Sequence, residues 1–219
     1  MPFARLIAKK FNTIHQEFIV KPDALQILPD LIWHYEEPYA DSSAIPLWYL
    51  SQLTRKTVTV ALNGDGGDEN FAGYGMFPVH LFAHNTYRYL PEFLRKNVSI
   101  PASFFINKVF KNTFTERLFR FAYSFEKGKD LRYLYYISYF TPLQRERIYS
   151  DDFKKRTDFF SKTEDLFLQI CDSSQVKDII DRVLYFNFSS YLPDDLLVKV
   201  DIATVAFGLE ARSPLLDHR

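Results

Sequence analysis

The most continuous apolar stretch in the chain is TVTVAL, residues 57–62, where nearly every side chain is apolar or β-branched. A strand of this kind has two faces to bury, as a parallel strand inside a sheet does. HQEFIV, residues 15–20, reads as a second, shorter strand. Elsewhere the period is helical. Phe3, Leu6, Ile7 and Phe11 share one face of an amphipathic helix. Pro22 suits the start of a helix running to about Glu36, with Leu25, Leu28, Leu31 and Ile32 as its apolar stripe. Residues 36–46, EEPYADSSAIP, form a loop that launches another helix, with Asp41, Ser42 or Ser43 as its cap. Further helices are predicted over about 78–90, 102–111, 114–126, 130–139, 142–149, 164–171 and 174–188. The last runs over about 191–206 and stops at Gly208. The pattern is α/β: two strands with helical crossovers, then an all-helical layer. Two strands do not make a stable open sheet. On this reading the chain is incomplete on its N-terminal side, and its last residues, LLDHR, carry no terminating signal.

Composition narrows the classes. A chain of 219 residues suffices for one sizeable domain. Aromatics reach 17%, so most of the rings are expected in the core. The 27 basic and 27 acidic residues cancel, which leaves no electrostatic case for nucleic acid. Cys171 is the single cysteine, so an internal disulfide framework and a four-cysteine zinc site are excluded; its apolar setting reads as a core thiol. No apolar run approaches the roughly 20 residues that span a bilayer. The N-terminus lacks the apolar stretch of a signal peptide, so a cytoplasmic location is expected.

The chemistry concentrates after TVTVAL, in NGDGGDENFAGYG, residues 63–75. A strand followed by a glycine-dense turn and a helix sets backbone N–H groups at the carboxyl edge of a sheet, where open α/β sheets bind ligands. Gly64, Gly66 and Gly67 permit tight turns and close backbone approach. Asp65, Asp68 and Glu69 add three carboxylates, which tolerate a phosphate when a cation lies between. The combination points to a nucleotide held through magnesium, with an acidic surface turn as the competing reading. A dinucleotide fingerprint fails because Glu69 stands where the third glycine belongs. A calcium loop fails because Asp68 and Tyr74 stand at its sixth and twelfth positions.

NGDGGDENFAGY, residues 63–74, resembles the signature of the asparagine synthetases. Three more blocks agree in order and spacing: EPYADSSAIP (37–46), YLPDDLLVKVD (191–201) and LEARSPLLDH (209–218). The resemblance implies part of a parallel-sheet, adenine-nucleotide-binding domain of the PP-loop ATP pyrophosphatase type, with a large helical C-terminal part. It implies ATP and Mg2+, an aspartyl adenylate as intermediate, and ammonia drawn from glutamine. Asn63 and Gly64 match the residues that contact ATP, with Gly66 and Gly67 beside them. Asp65 matches the acid tied to adenylate formation and the ammonia proton, and Asp68 the acid that helps hold magnesium and pyrophosphate. Tyr74 and Glu210 match a catalytic pair of the related β-lactam-forming synthetases and are given supporting roles here. The longer enzyme is expected to carry a glutaminase domain and a pyrophosphate loop, both absent from residues 1–219, and to form a homodimer. Alone, the chain is expected to be inactive.

Asn63 replaces the family's usual serine, Asn70 a usually apolar residue, and IATVAF (202–207) a differently composed segment. Lys199, Asp201 and Arg212 read as an ion-pair network around the last helix, and Asp194 and Asp195, after Pro193, as acids at a helix start. His80 and His84 read as surface or core histidines. Two other readings stay open: a relative acting on another carboxylate, and a non-catalytic remnant that binds a partner.

Overall fold

A computed structural model describes residues 2–19, 23–85, 89–94, 97, 100–110, 113–124, 128–140, 142–156, 159–173 and 175–219. The described chain divides into two compact units, residues 1–65 with 194–219, and residues 66–193. The first opens with helices α1 (Pro2–Lys10), α2 (Ala24–Tyr35) and α3 (Ala44–Arg55), then strand β1 (Val60–Leu62). The second is all helical: α4 (Gly67–Phe71), α5 (Met76–Asn85), α6 (Glu92–Leu94), α7 (Ile100–Phe110), α8 (Thr113–Ser124), α9 (Gly128–Ile137), α10 (Pro142–Ile148), α11 (Asp151–Arg156), α12 (Phe159–Ser173) and α13 (Ile179–Phe186). A π-helix (Asn187–Leu197) leads back to the first unit, which ends in α14 (Val198–Val205), strand β2 (Glu210–Arg212) and a 3-10 turn (Pro214–Leu216). Among the described residues the fold is mostly helical with one small parallel sheet, which bears out the α/β expectation in part. Among the described residues, no helix is long and apolar enough to cross a membrane.

The core of the first unit is Ile27, Leu31, Tyr35, Ala44, Trp48 and Ala203. Asp23 caps α2 by accepting the Gln26 N–H at 3.3 Å, and Pro22 lies outside the described residues. The buried face of α2 is Ile27–Leu31–Tyr35, one turn apart each time, so the predicted stripe was correct only at Leu31; Leu25, Leu28 and Ile32 are exposed. Helix α1 forms as expected, but its apolar residues Phe3, Leu6 and Ile7, with Phe11 just beyond it, are exposed and Ala8 is buried. Periodicity identifies an apolar face, but burial needs a partner surface, and none of the described residues supplies one here.

Residues 15–19 form no strand. His15 and Glu17 instead join Arg5 of α1, whose guanidinium donates to Glu17 at 2.6 Å. Those hydrogen bonds hold the Glu17 carboxyl at about 2. Val20 lies outside the described residues. TVTVAL contributes only Val60–Leu62 to a ladder, and Val60 and Leu62 are exposed, so the strand is parallel but not buried.

Pro193 does not open a helix. It sits inside the π-helix, and Asp194 and Asp195 are therefore interior residues of that element rather than acids at a helix start. Proline removes an N–H and crowds the preceding turn, and the wider π turn accommodates both. The Tyr39 hydroxyl donates to the Asp195 carbonyl at 2.6 Å and lies against its carboxylate; that of Tyr35 donates to the Lys199 carbonyl at 3.0 Å. Burial, then the charges of Asp41 and Asp195, push Tyr35 up to about 12.

In the second unit, Phe77, Tyr133, Leu134, Phe167, Cys171, Val183 and Phe186 form the core, so the thiol is buried as expected. Tyr133 is fully buried; its hydroxyl accepts from Asn187 Nδ2 at 2.8 Å, and Asn187 Nδ2 also reaches the Val183 carbonyl. His80 is buried edge-on to Tyr133, and burial, then the nearby charges of Arg132 and His84, lowers it to about 4. It is a neutral core histidine. Among the described residues more rings are exposed than buried, Phe105, Phe110, Phe114 and Tyr139 each by more than half, so the expectation that most rings are buried does not hold.

Candidate functional site

The short parallel ladder sets the start of the glycine-rich loop. Val60 pairs with Glu210, Ala61 with Ala211 and Leu62 with Arg212. The ladder extends by one bond at each end, Glu210 N–H to the Thr59 carbonyl and Asn63 N–H to the Arg212 carbonyl, both 2.9 Å. Asn63 thus stands at the carboxyl edge of the sheet. Its Oδ1 accepts the Asp65 N–H at 3.4 Å, while its Nδ2 is buried with no hydrogen-bond partner. A buried amide donor left without an acceptor is costly, and an anionic or carbonyl ligand would satisfy it. A Cβ on Gly64 would meet nothing within 4 Å, so space is open to a ligand there. Asp65 is half-buried.

Asp65 ends the first unit and Gly66 begins the second. Gly66 has φ 85°, a left-handed conformation that favours glycine, and starts α4. Its carbonyl accepts both the backbone N–H of Asn70 at 3.0 Å and its side-chain amide at 2.8 Å. That bond gives Asn70, a departure from the family pattern, a structural task. Gly67 is the first residue of α4. The three acids of the loop diverge in environment: Asp65 is half-buried, Asp68 exposed and Glu69 buried at 3% exposure. Glu69 accepts a hydrogen bond from the Tyr74 hydroxyl. Burial, then that bond and the Glu69 charge, raises the Tyr74 phenol far above its ordinary value.

Glu210 is exposed and bonded to Arg212 at 2.7 Å. Its register beside Val60 leaves it three residues short of Asn63, roughly 10 Å along the strand direction. The carboxylate bonded to Tyr74 is therefore Glu69, and the charge beside Glu210 is Arg212. Lys199, Asp201 and Arg212 do not form one network. Lys199 is buried and reaches Asp41 Oδ2 at 2.6 Å, while Asp201 is exposed. Asp41 also accepts the Ser43 N–H and hydroxyl, each at 2.8 Å, which makes Asp41 the acid that organises the start of α3. The residues that sequence reasoning missed are Glu69 as a buried anchor and Asp41 as the partner of Lys199. A weak signal existed for the first, since Glu69 lies between glycines and the aromatic residues Phe71 and Tyr74.

Among the described residues, no three His, Cys, Asp or Glu side chains gather as a metal site. Magnesium, however, is ordinarily held by one or two carboxylates together with substrate phosphates. The exposed carboxylate of Asp68 is of the type that could serve as one such ligand.

The glycine-dense, acidic loop leaves the carboxyl edge of a parallel strand, and comparison with known proteins gives the family. The profile of the asparagine synthase family matches residues 1–219, and the chain belongs to that family. It is 28% identical over 215 residues to a glutamine-hydrolysing asparagine synthetase of Bacillus subtilis, an alignment that covers 91% of this chain and 30% of the relative. A Mycobacterium bovis protein provisionally given the same name is 30% identical over 224 residues, covering 98% of this chain and 30% of its own length. A Methanocaldococcus jannaschii relative reaches 38% over 95 residues, 43% of this chain and 18% of its own. The chain thus spans about 30% of the length of the first and second of these relatives. No solved structure matches it.

Proposed function

We propose that these 219 residues are part of the synthetase domain of a longer, cytoplasmic enzyme. That enzyme converts aspartate to asparagine, using ATP and ammonia drawn from glutamine. The observation that carries the reading is the loop 63–68 leaving the carboxyl edge of a parallel strand, with the buried Asn63 Nδ2 lacking a hydrogen-bond partner. The exposed apolar faces of α1, α2 and β1 support a larger PP-loop-type sheet and domain around this part.

In this reading Asn63 and the backbone of Gly64, Gly66 and Gly67 hold ATP. The aspartate side-chain carboxylate attacks the α-phosphorus, giving an aspartyl adenylate and releasing pyrophosphate. Ammonia then attacks the activated carbonyl, Asp65 accepts the proton it sheds, and AMP leaves. Asp68 is the chain's own acid toward magnesium, which when bound neutralises phosphate charge. Tyr74 and Glu210 support the site without touching the reacting atoms.

The test is AMP release by the longer enzyme across a panel of carboxylates. Release that depends on aspartate, and is far weaker with glutamate, β-alanine derivatives or sugar acids, is the expected outcome. Release driven by another acid would reassign the acceptor. Release with none would leave a binding remnant.

A further inference from the structure

The turn that carries Asp68 closes on itself. Helix α4 has five residues, too few to hold itself by its own hydrogen bonds. Its first turn is fixed by Asn70 on the Gly66 carbonyl. Its exit is fixed differently. Ala72 adopts a left-handed backbone, φ 54°, uncommon for alanine, and this directs Gly73 back over the helix. The Gly73 N–H donates to the Asp68 carbonyl at 3.1 Å, and a methyl group on Gly73 would run into the Asp68 carboxylate. One residue later, the Tyr74 hydroxyl returns to the buried carboxyl of Glu69. A carboxyl withdrawn from water needs such a bond. The Tyr74 ring is itself held against Phe77 and Tyr191, with centroids 5.9 and 6.2 Å away.

We propose that Tyr74 and Glu69 form a positioning clasp that closes the turn after α4 and, through Gly73, sets the direction in which Asp68 offers its carboxylate to a divalent cation carried by a phosphate ligand. The proposal rests on the reading of Asp68 as the acid toward magnesium. Tyr74 acts through Asp68, as a partner behind the metal-facing residue, and not on the substrate. Gly73 belongs to the same device, because its missing side chain is the space that the Asp68 carboxylate occupies.

The experiment is a titration of the longer enzyme with Mn2+ in the presence of a non-hydrolysable ATP analogue, followed by electron paramagnetic resonance, beside turnover at saturating magnesium. Removing such a partner costs about 10- to 100-fold in metal affinity. Tyr74→Phe is expected to weaken Mn2+ binding in that range while turnover at saturating magnesium changes far less. Gly73→Ala leaves the tyrosine–glutamate bond in place, crowds the Asp68 carboxylate, and is expected to weaken Mn2+ binding similarly. Tyr74→Phe added to Asp68→Asn should cost nothing beyond Asp68→Asn alone. Parent-like Mn2+ affinity in Tyr74→Phe, or losses that multiply in the double variant, would overturn the clasp. Reduced turnover with unchanged Mn2+ affinity would overturn it too and make Tyr74 a substrate-facing residue. Unchanged affinity in Asp68→Asn would remove the magnesium reading on which the proposal stands.

Discussion

Asp65→Asn in the longer enzyme is expected to slow asparagine formation by about 10²- to 10⁴-fold, the usual worth of a positioned general base. Asp65 follows the carboxyl edge of β1 and has its N–H on the side chain of Asn63. Ammonia sheds a proton as it becomes an amide, and an amide side chain at this position cannot take it. The groups assigned to ATP, Asn63 and the loop glycines, are untouched by the substitution, so ATP affinity should stay near that of the parent. Asp65→Glu keeps the carboxylate and should retain much more activity. The competing view makes Asp65 a residue that only shapes the turn. On that view both variants lose ATP affinity and thermal stability together. Turnover, ATP affinity and melting temperature measured on the same two proteins separate the alternatives, and normal turnover in Asp65→Asn would end the catalytic assignment.

Lys199→Met is expected to destabilise the first unit by about 2–3 kcal/mol, somewhat below the roughly 3–5 kcal/mol lost when one partner of a fully buried ion pair is removed. The side chains of Lys199 and Asp41 are 11% and 21% exposed, so water screens the pair only in part. Methionine keeps the aliphatic packing and leaves Asp41 with Ser43 alone. Replacing Asp41 with asparagine in the same protein should recover part of the loss, because the stranded charge is then gone. The pair also has a pH signature. Burial favours the protonated Asp41 carboxyl, but hydrogen bonds from Lys199 and Ser43 outweigh it and hold the group below the usual carboxylate range. A lowered folded value means that the contribution is complete above the unfolded pKa of about 3.9. It is lost as pH falls through the lower folded value. The difference between parent and Lys199→Met should therefore close in that acid window. Hydrogen exchange of the α14 amides reads it locally, and equal protection in the two proteins at neutral pH would show that the pair holds nothing in place.

The local geometry of the candidate loop could be read from the chain, because glycines and acids packed into one stretch after an apolar run mark a turn at the edge of a sheet. The strand, the turn at Gly66 and the short helix follow from those residue types alone. What could not be read was which acid turns inward. Asp65, Asp68 and Glu69 look equivalent in sequence, and only the return of Tyr74 onto Glu69 distinguishes them. The same limit governed the helices. The apolar faces of α1 and α2 were visible, yet Leu25, Leu28 and Phe3 remain exposed, because burial is a property of the partner surface and not of the helix. Strand TVTVAL was shortened for a related reason, since a ladder exists only where β2 runs beside it. At Pro193 the local rule predicted a helix start, and a π turn supported by Tyr39 accommodated the proline instead.

The central claim is that the side-chain carboxylate of aspartate is activated by direct attack on the α-phosphorus of ATP. The most direct measurement is the fate of oxygen-18 placed in that carboxylate, followed by mass spectrometry of the nucleotide after turnover by the longer enzyme. If an aspartyl adenylate forms, the attacking oxygen leaves with AMP, and each AMP carries one labelled oxygen while asparagine keeps the other. Unlabelled AMP or ADP, with the label appearing in inorganic phosphate, would mean that a different phosphoryl group activates the acid and would contradict the account.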